Sequence, residues 1–399
     1  MLVPTHETFA ARHFSAAFED ATNPQRGRQN GSGAELKFRA ANVIMKKPTI
    51  ATVAEQAGVA VSTVSRYLNG HYVSAPVQAR LSEVIAALGY SRSWTARNLS
   101  LGRRGCIGVA VDSSSDPWFV QLLMGIEEEL SARDTGLMLS SLELRGQYDP
   151  ALVFAWIRDR RVDGLILAKS QRRERALLKA AIEAQLPTVI IAPDEISTDV
   201  QVVRCNNVAA GTTVASHLAG LGHRKIGFAG GPEHSIDSKH RLRGLRDELS
   251  RRGIEVLARN IFTCGSYTSE AGGEFAHRFF ESDADLTALV LANDALAFGF
   301  MRVALQRGVR MPQQLSVLGF DGLPAGALFY PALTTVSQPM REMGRVACCR
   351  LFEAIETPGR VESTEFAMSL IERESTGAVP GTTPGARVPP LHLVAPPAE

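Results

Sequence analysis

A chain of 399 residues, 45% of them apolar, can bury two or three separate cores, so more than one domain is expected. The formal net charge of +2 is uneven: residues 46–104 hold eight Lys or Arg against two acids, residues 1–45 five against four, and the remainder an acidic surplus. Five cysteines without C-x-x-C spacing, no apolar run approaching 18–20 residues and no signal-peptide core argue against a disulfide framework, a membrane span and an export leader, and predict a soluble protein of the reducing cytoplasm.

Residues 1–45 mix Gly, Ser, Asn, Gln and Arg with little periodicity and are expected to be disordered. Thr49 can then cap a short helix whose apolar residues Ile50, Val53, Ala54 and Ala57 recur at helical spacing. Gly58 supplies the left-handed residue that ends it, and Ala54 is small enough to let a second helix cross closely. In that second helix Val64 and Leu68 share one side, while Val61, Ser62, Ser65, Arg66 and Asn69 share the other. A short, polar, basic face suits a major-groove floor: Ser reaches most base edges, a Val methyl meets a thymine methyl, and Arg binds guanine or phosphate. The local basic surplus sits on this segment, as phosphate neutralisation requires. A third helix follows, with Ser74 as N-cap, Val77, Leu81, Val84, Ile85 and Leu88 inward, and Gly89 as the stop.

The stretch TIATVAEQAGVAVSTVSRYLNG, continued by VSAPVQARLSEVIAALGY, resembles the DNA-binding headpiece of the lactose-repressor and galactose-repressor (LacI/GalR) family of bacterial transcription regulators. The resemblance implies that Val61 and Ser62 set base preference, that Arg66 contacts a base or the backbone, and that Thr49, Thr63, Ser65 and Asn69 meet phosphates. Two departures, Ala60 for a capping Ser and Thr52 for an acidic residue, are expected to weaken helix starts. Because MKKPTIATVAEQAGV looks like a natural family start, two readings of the upstream stretch stand: translation begins at Met45, or residues 1–44 form an arm adding non-specific DNA affinity. Residues 92–104 match the family's hinge, helical only when two subunits lie together in the minor groove. Ala96 and Leu99 occupy its contact positions, Leu99 as the wedge that kinks the duplex, and Arg92 and Ser93 stand where Pro-Asn is common.

From Gly105 the runs CIGVAVD, VDGLILA, PTVIIA, KIGFAG, ALVLAND and LSVLGFD read as buried parallel strands alternating with helices, long enough for two doubly wound lobes. Ligands in such sheets sit beyond the carboxyl ends of the strands, so Asp116 and Trp118 after the first run, Asn293 after ALVLA and Asp321 closing LSVLGFD are candidate binders. This region resembles the family's effector domain, which shares its fold with periplasmic sugar-binding proteins. Trp118 matches a ring stacking on the ligand, Arg241 an arginine clamp, Tyr267 an aromatic wall, and Asn293, Asp321 and Gln338 hydrogen-bonding positions. Bland alternatives stand beside these: Trp118 as packed core, Asn293-Asp294 as a helix cap, and Arg241 paired only with Asp321.

The expected architecture is therefore a small all-α helix-turn-helix headpiece (46–91), a hinge (92–104), a two-lobed α/β effector-binding and dimerisation domain (105–376) resembling periplasmic binding proteins, and a disordered tail (377–399). The tail lacks leucine heptads, which favours a dimer. No phosphate loop, nucleophile elbow or H-E-x-x-H occurs, and His217, His223, His234 and His240 have no i, i+4 spacing, so neither catalysis, a metal nor another cofactor is expected. The function expected is a repressor of pseudo-palindromic operator DNA, controlled by a sugar or sugar derivative; a cytoplasmic solute-binding sensor without specific DNA binding is the alternative.

Overall fold

The computed structural model describes residues 48–90, 98, 102–114, 116–144, 147–168, 175–193, 199–359 and 361–379. Ala96, Leu99, residues 1–45 and the tail beyond residue 379 lie outside these. The chain divides into two compact units between Ser91 and Arg92.

The first unit holds three helices, α1 (Ile50–Ala57), α2 (Val61–Leu68) and α3 (Ala75–Leu88). Val53, Val64 and Leu81 are fully buried at its centre, each stabilising the unit by about 1.5–3 kcal/mol. Ile50, Leu68, Val77, Val84, Ile85 and Leu88 pack around them at the positions their spacing predicts. Gly58, at φ 62°, and Gly89, at φ 57°, end α1 and α3 in the left-handed conformation that a residue without Cβ adopts at least cost.

The second unit contains two six-stranded sheets. The first lobe is built from β1 (Cys106–Val111), α4 (Pro117–Ala132), β2 (Gly136–Ser141), a small hairpin of β3 (Glu143–Leu144) and β4 (Gln147–Tyr148), α5 (Ala151–Arg158), β5 (Leu165–Ala168), α6 (Arg175–Glu183), β6 (Thr188–Ile191) and β7 (Gln201–Cys205). The chain then crosses into the second lobe: α7 (Asn207–Gly220), β8 (Ile226–Gly230), α8 (Ile236–Arg251), β9 (Ile261–Thr263), α9 (Ser269–Phe280), β10 (Ala288–Leu291), α10 (Asp294–Gln306), β11 (Ser316–Asp321) and β12 (Thr334–Ser337). It returns to the first lobe for α11 (Met340–Glu356) and β13 (Ser363–Phe366), and crosses back for β14 (Ser369–Ile371).

Strand orders are β13-β7-β6-β5-β1-β2 and β14-β12-β11-β10-β8-β9, parallel throughout except for β14 against β12. All six strands expected from the sequence are present. The other main-sheet strands were not visible as apolar runs: β7 begins on Gln201 and ends Arg204-Cys205, and β12 is Thr-Thr-Val-Ser. Both sheets reverse direction of winding beside their first strand, between β1 and β5 and between β8 and β10, which places the ligand crevice outside those carboxyl ends.

Three helix pairs cross at glycines: Gly125 with Gly344 (α4 and α11), Gly272 with Gly299 (α9 and α10), and Gly211 with Gly244 (α7 and α8). At the last, a Cβ on Gly211 would collide with the Arg241 carbonyl, and one on Gly244 with the Val208 carbonyl. Only bare backbone lets α7 and α8 approach so closely. Replacing Gly211 by Ala is expected to cost about 1–3 kcal/mol through overpacking. Gly220→Ala, in the same helix with open space around the new methyl, should be near neutral; equal melting temperatures for the two variants would contradict the close crossing.

Candidate DNA-reading helix and interlobe cleft

In the first unit, the α1 start is firmer than the departure at Thr52 predicts. Thr49 accepts from the Thr52 N–H and the Thr52 hydroxyl accepts from the Thr49 N–H, a reciprocal capping box at 3.3 Å in both directions. The expectation for α2 holds, since Ala60 offers no side-chain cap, and Ser74 likewise makes no cap bond to α3 despite standing at its N-cap position. Burial of Val64 turns Val61, Ser62, Arg66 and Asn69 outward, Val61 being 46% exposed, with Thr63 and Ser65 half-buried beside them. Arg66 donates one Nη2 hydrogen to the Tyr72 carbonyl at 3.4 Å, and Asn69 donates to the Ser65 hydroxyl at 3.4 Å. These bonds preorient the outward face. Sequence reasoning missed Arg80, which ties α3 to the end of α1 by donating to the Ala57 carbonyl at 3.3 Å. It also missed Tyr72, 83% exposed beside α2.

In the second unit, six of the seven expected effector positions converge on one cleft between the lobes, with an empty volume of about 270 Å³. Trp118 comes from the first turn of α4; Arg241, Tyr267, Asn293 and Asp321 come from the second lobe, and Gln338 from the crossover before α11. Trp118 Nε1 donates to Gln338 Oε1 at 3.3 Å, and Gln338 Nε2 donates to Asp321 Oδ1 at 2.5 Å, so a hydrogen-bonded chain joins the lobes. Asp116 is placed differently. It caps α4, accepting the Trp118 N–H at 2.9 Å, and is not among the residues lining the cleft.

Arg241 is 3% exposed and held from three directions. Its Nε donates to Asn207 Oδ1 at 2.7 Å, one Nη donates to the Ala292 carbonyl, and the guanidinium lies over the Phe320 ring at 4.7 Å. Nη2 stands 3.8 Å from Asp321 Oδ1, so the two do not pair exclusively with each other. Asn293 does both things foreseen for it: Oδ1 caps α10 by accepting from the Leu296 N–H at 2.9 Å, while Nδ2 donates to the Tyr267 carbonyl at 3.1 Å and the residue lines the cleft. Tyr267 lies flat on Gly231, where a Cβ would collide with its ring, and its hydroxyl bonds Ser235.

Three residues of the cleft escaped the sequence reading. Asn207 Nδ2 donates to Asp237 Oδ1 at 2.7 Å, which joins Arg241, Asn207 and Asp237 in one chain. Ala192 lines the cleft at φ 52°, and Asp321 sits at φ 110°; such conformations cost residues with a Cβ about 1–3 kcal/mol and collect at binding sites. The Asp-to-Asn departure at Asn206 is absorbed structurally, since Oδ1 caps α7 at 2.9 Å and Nδ2 donates to Glu365.

Other expected residues serve the scaffold. His223 bonds Thr287 and the Gly377 carbonyl, and His217 bonds Thr376, so the ordered chain runs on to Val379, whose N–H donates to the Leu221 carbonyl. Asp163 accepts from the N–H groups of Arg104 and Gly105 at 2.7 and 2.6 Å, gripping the end of the linker where it enters β1. No helix among the described residues is long and apolar enough to cross a membrane.

A model described as bacterial regulatory proteins, lacI family, matches residues 49–93, and one described as a periplasmic binding protein-like domain matches residues 215–376. The HTH-type transcriptional repressor PurR of Mannheimia succiniciproducens is 30% identical over 334 residues, covering 82% of this chain and 98% of that protein. The ribose operon repressor of Escherichia coli is 27% identical over 329 residues, covering 82% and 99%. Among solved structures, the lac repressor dimer bound to operator and the anti-inducer ONPF is similar with a TM-score of 0.72 at 25% identity, over 83% of this chain and 99% of that one.

Behind the cleft, Asp294 is wholly buried. Burial first, and the neighbouring Asp321 carboxylate second, push its carboxyl up to about 8, against hydrogen bonds from Thr335 and the Leu323 N–H that favour the charged form. The folded value lies above the unfolded value of 3.8, so this group's stabilising contribution is present below about pH 4 and is lost as pH rises through about 8. Asp294→Asn is therefore expected to gain melting temperature relative to the natural chain between pH 5 and pH 9. A difference that is constant with pH would contradict the protonated, buried carboxyl.

Proposed function

The chain belongs to the LacI family of bacterial regulatory proteins, and from that membership we propose that it is a cytoplasmic transcriptional repressor whose hold on operator DNA is set by a small carbohydrate effector. The observation that carries this reading is the outward face of α2: Val61, Ser62, Arg66 and Asn69 stand exposed on a helix whose opposite side is locked by Val64 into the headpiece core. A homodimer presents two such helices to a pseudo-palindrome, Val61 and Ser62 reading bases, Arg66 a base or phosphate, and Thr49, Thr63, Ser65 and Asn69 the backbone. Ala96 and Leu99 act at the central step of the site. In the effector unit Trp118, Arg241, Tyr267, Asn293, Asp321 and Gln338 hold the ligand, with Asp116 acting through the position of Trp118.

Selection of bound sequences from a random duplex pool, repeated with sugars and purines added, tests the proposal. A palindrome whose enrichment changes with one compound supports it, and no enrichment at low salt contradicts it. Arg66→Ala should weaken operator binding by about 1–3 kcal/mol and reduce its salt slope. Ser62 substitutions should shift base preference more than affinity; equal loss on operator and random DNA would contradict that role. Arg241→Ala should keep operator binding while abolishing the effector response, which paired duplex titrations with and without the effector would reveal.

A further inference from the structure

The charge of the effector is written in how the helices around the cleft begin; this rests on the reading of the cleft as the effector site. Phosphates and carboxylates bind α/β sheets at helix N-termini, where unpaired N–H groups and the positive end of the dipole face outward. Five helices bring their starts to this cleft or its wall, and in each a side-chain oxygen already occupies the place an anion would take. Asp116 accepts from the Trp118 N–H, Asn206 from Ala209, Ser235 from Ser238, Thr268 from Ala271 and Asn293 from Leu296. The start of α11, beside Gln338, has no side-chain cap, but its first turn carries Glu342.

The charges agree. Among the described residues lining the cleft, one cation, Arg241, faces two carboxylates, Asp237 and Asp321. The segments 169–174 and 194–198, outside the described residues, hold three basic and three acidic residues between them and cancel. Arg241 Nη2 and Asp321 Oδ1 stand 3.8 Å apart, a donor beside an acceptor. A hydroxyl suits both at once, accepting from the guanidinium and donating to the carboxylate, whereas an oxyanion satisfies the first and is repelled by the second. Trp118 and Tyr267 supply apolar faces for a ring.

We infer that the effector is an uncharged, polyhydroxylated ring, a free sugar or glycoside, and that phosphorylated and carboxylated sugars are rejected.

Calorimetric titration of the full chain with matched pairs tests this: ribose against ribose 5-phosphate, glucose against glucose 6-phosphate, and galactose against galacturonate, with the remaining aldopentoses and aldohexoses, cellobiose and the neutral bases hypoxanthine and guanine beside them. The expected result is binding of at least one neutral sugar with its charged counterpart at least tenfold weaker, and a narrower gap in Asp237→Asn. A charged sugar binding within tenfold of its neutral partner or better, a purine base binding in place of sugars, or no neutral sugar binding would each overturn it. Operator binding measured on the same preparation separates the two failures: a lost charge preference beside intact operator binding sinks only this inference, and sugar binding without duplex binding sinks the repressor reading instead.

Discussion

The cleft depends on the close crossing of α7 and α8 through Gly211 and Gly244. Each glycine faces a carbonyl of the other helix, and one of those carbonyls belongs to Arg241 itself. With the backbones at that distance, Asn207 at the start of α7 reaches the Arg241 Nε and the Asp237 carboxylate together. The Ala292 carbonyl and the Phe320 ring then fix the rest of the guanidinium. A long, flexible side chain is thereby made into a rigid donor before any ligand arrives, so little ordering entropy remains to be lost on binding.

The same economy recurs across the lobes. Trp118 reaches Gln338, and Gln338 reaches Asp321, so one hydrogen-bonded chain runs from the first lobe through a crossover strand into the second. Asp321 in turn raises the carboxyl of Asp294, whose oxygens accept from Thr335 on β12 and from the Leu323 N–H after β11. A ligand that touches Asp321 or Gln338 therefore acts on both lobes through groups already bonded to one another. A differential affinity of several kcal/mol for one arrangement of the lobes is what an effector needs to move a two-state equilibrium decisively.

Much of this was legible in the sequence wherever a periodic pattern or a strand end marked it. Val53, Ala54, Ala57 and Val64 announced the headpiece core by spacing, and the β-branched runs announced the central strands. Trp118, Asn293 and Asp321 were exposed as candidates by standing at strand ends, while Arg241, Tyr267 and Gln338 needed the family resemblance. What stayed hidden depends on contacts between distant segments. Asn207 and Asp237 look like ordinary helix-start residues until α7 and α8 cross, and Asp163 gains meaning only when Arg104 and Gly105 arrive beside it. Asp116 shows the converse: a carboxylate at a strand end was equally suited to a ligand or to a cap, and the cap is what the local geometry uses.

The central claim, that one small molecule and one operator are linked through this chain, is tested most directly by reciprocal titration. Operator affinity is measured with and without saturating effector, and effector affinity with and without saturating operator, at one salt concentration. The account predicts that both affinities change by the same factor, as linkage requires of two sites sharing one conformational equilibrium. An operator affinity unmoved by a ligand that demonstrably fills the cleft would contradict it.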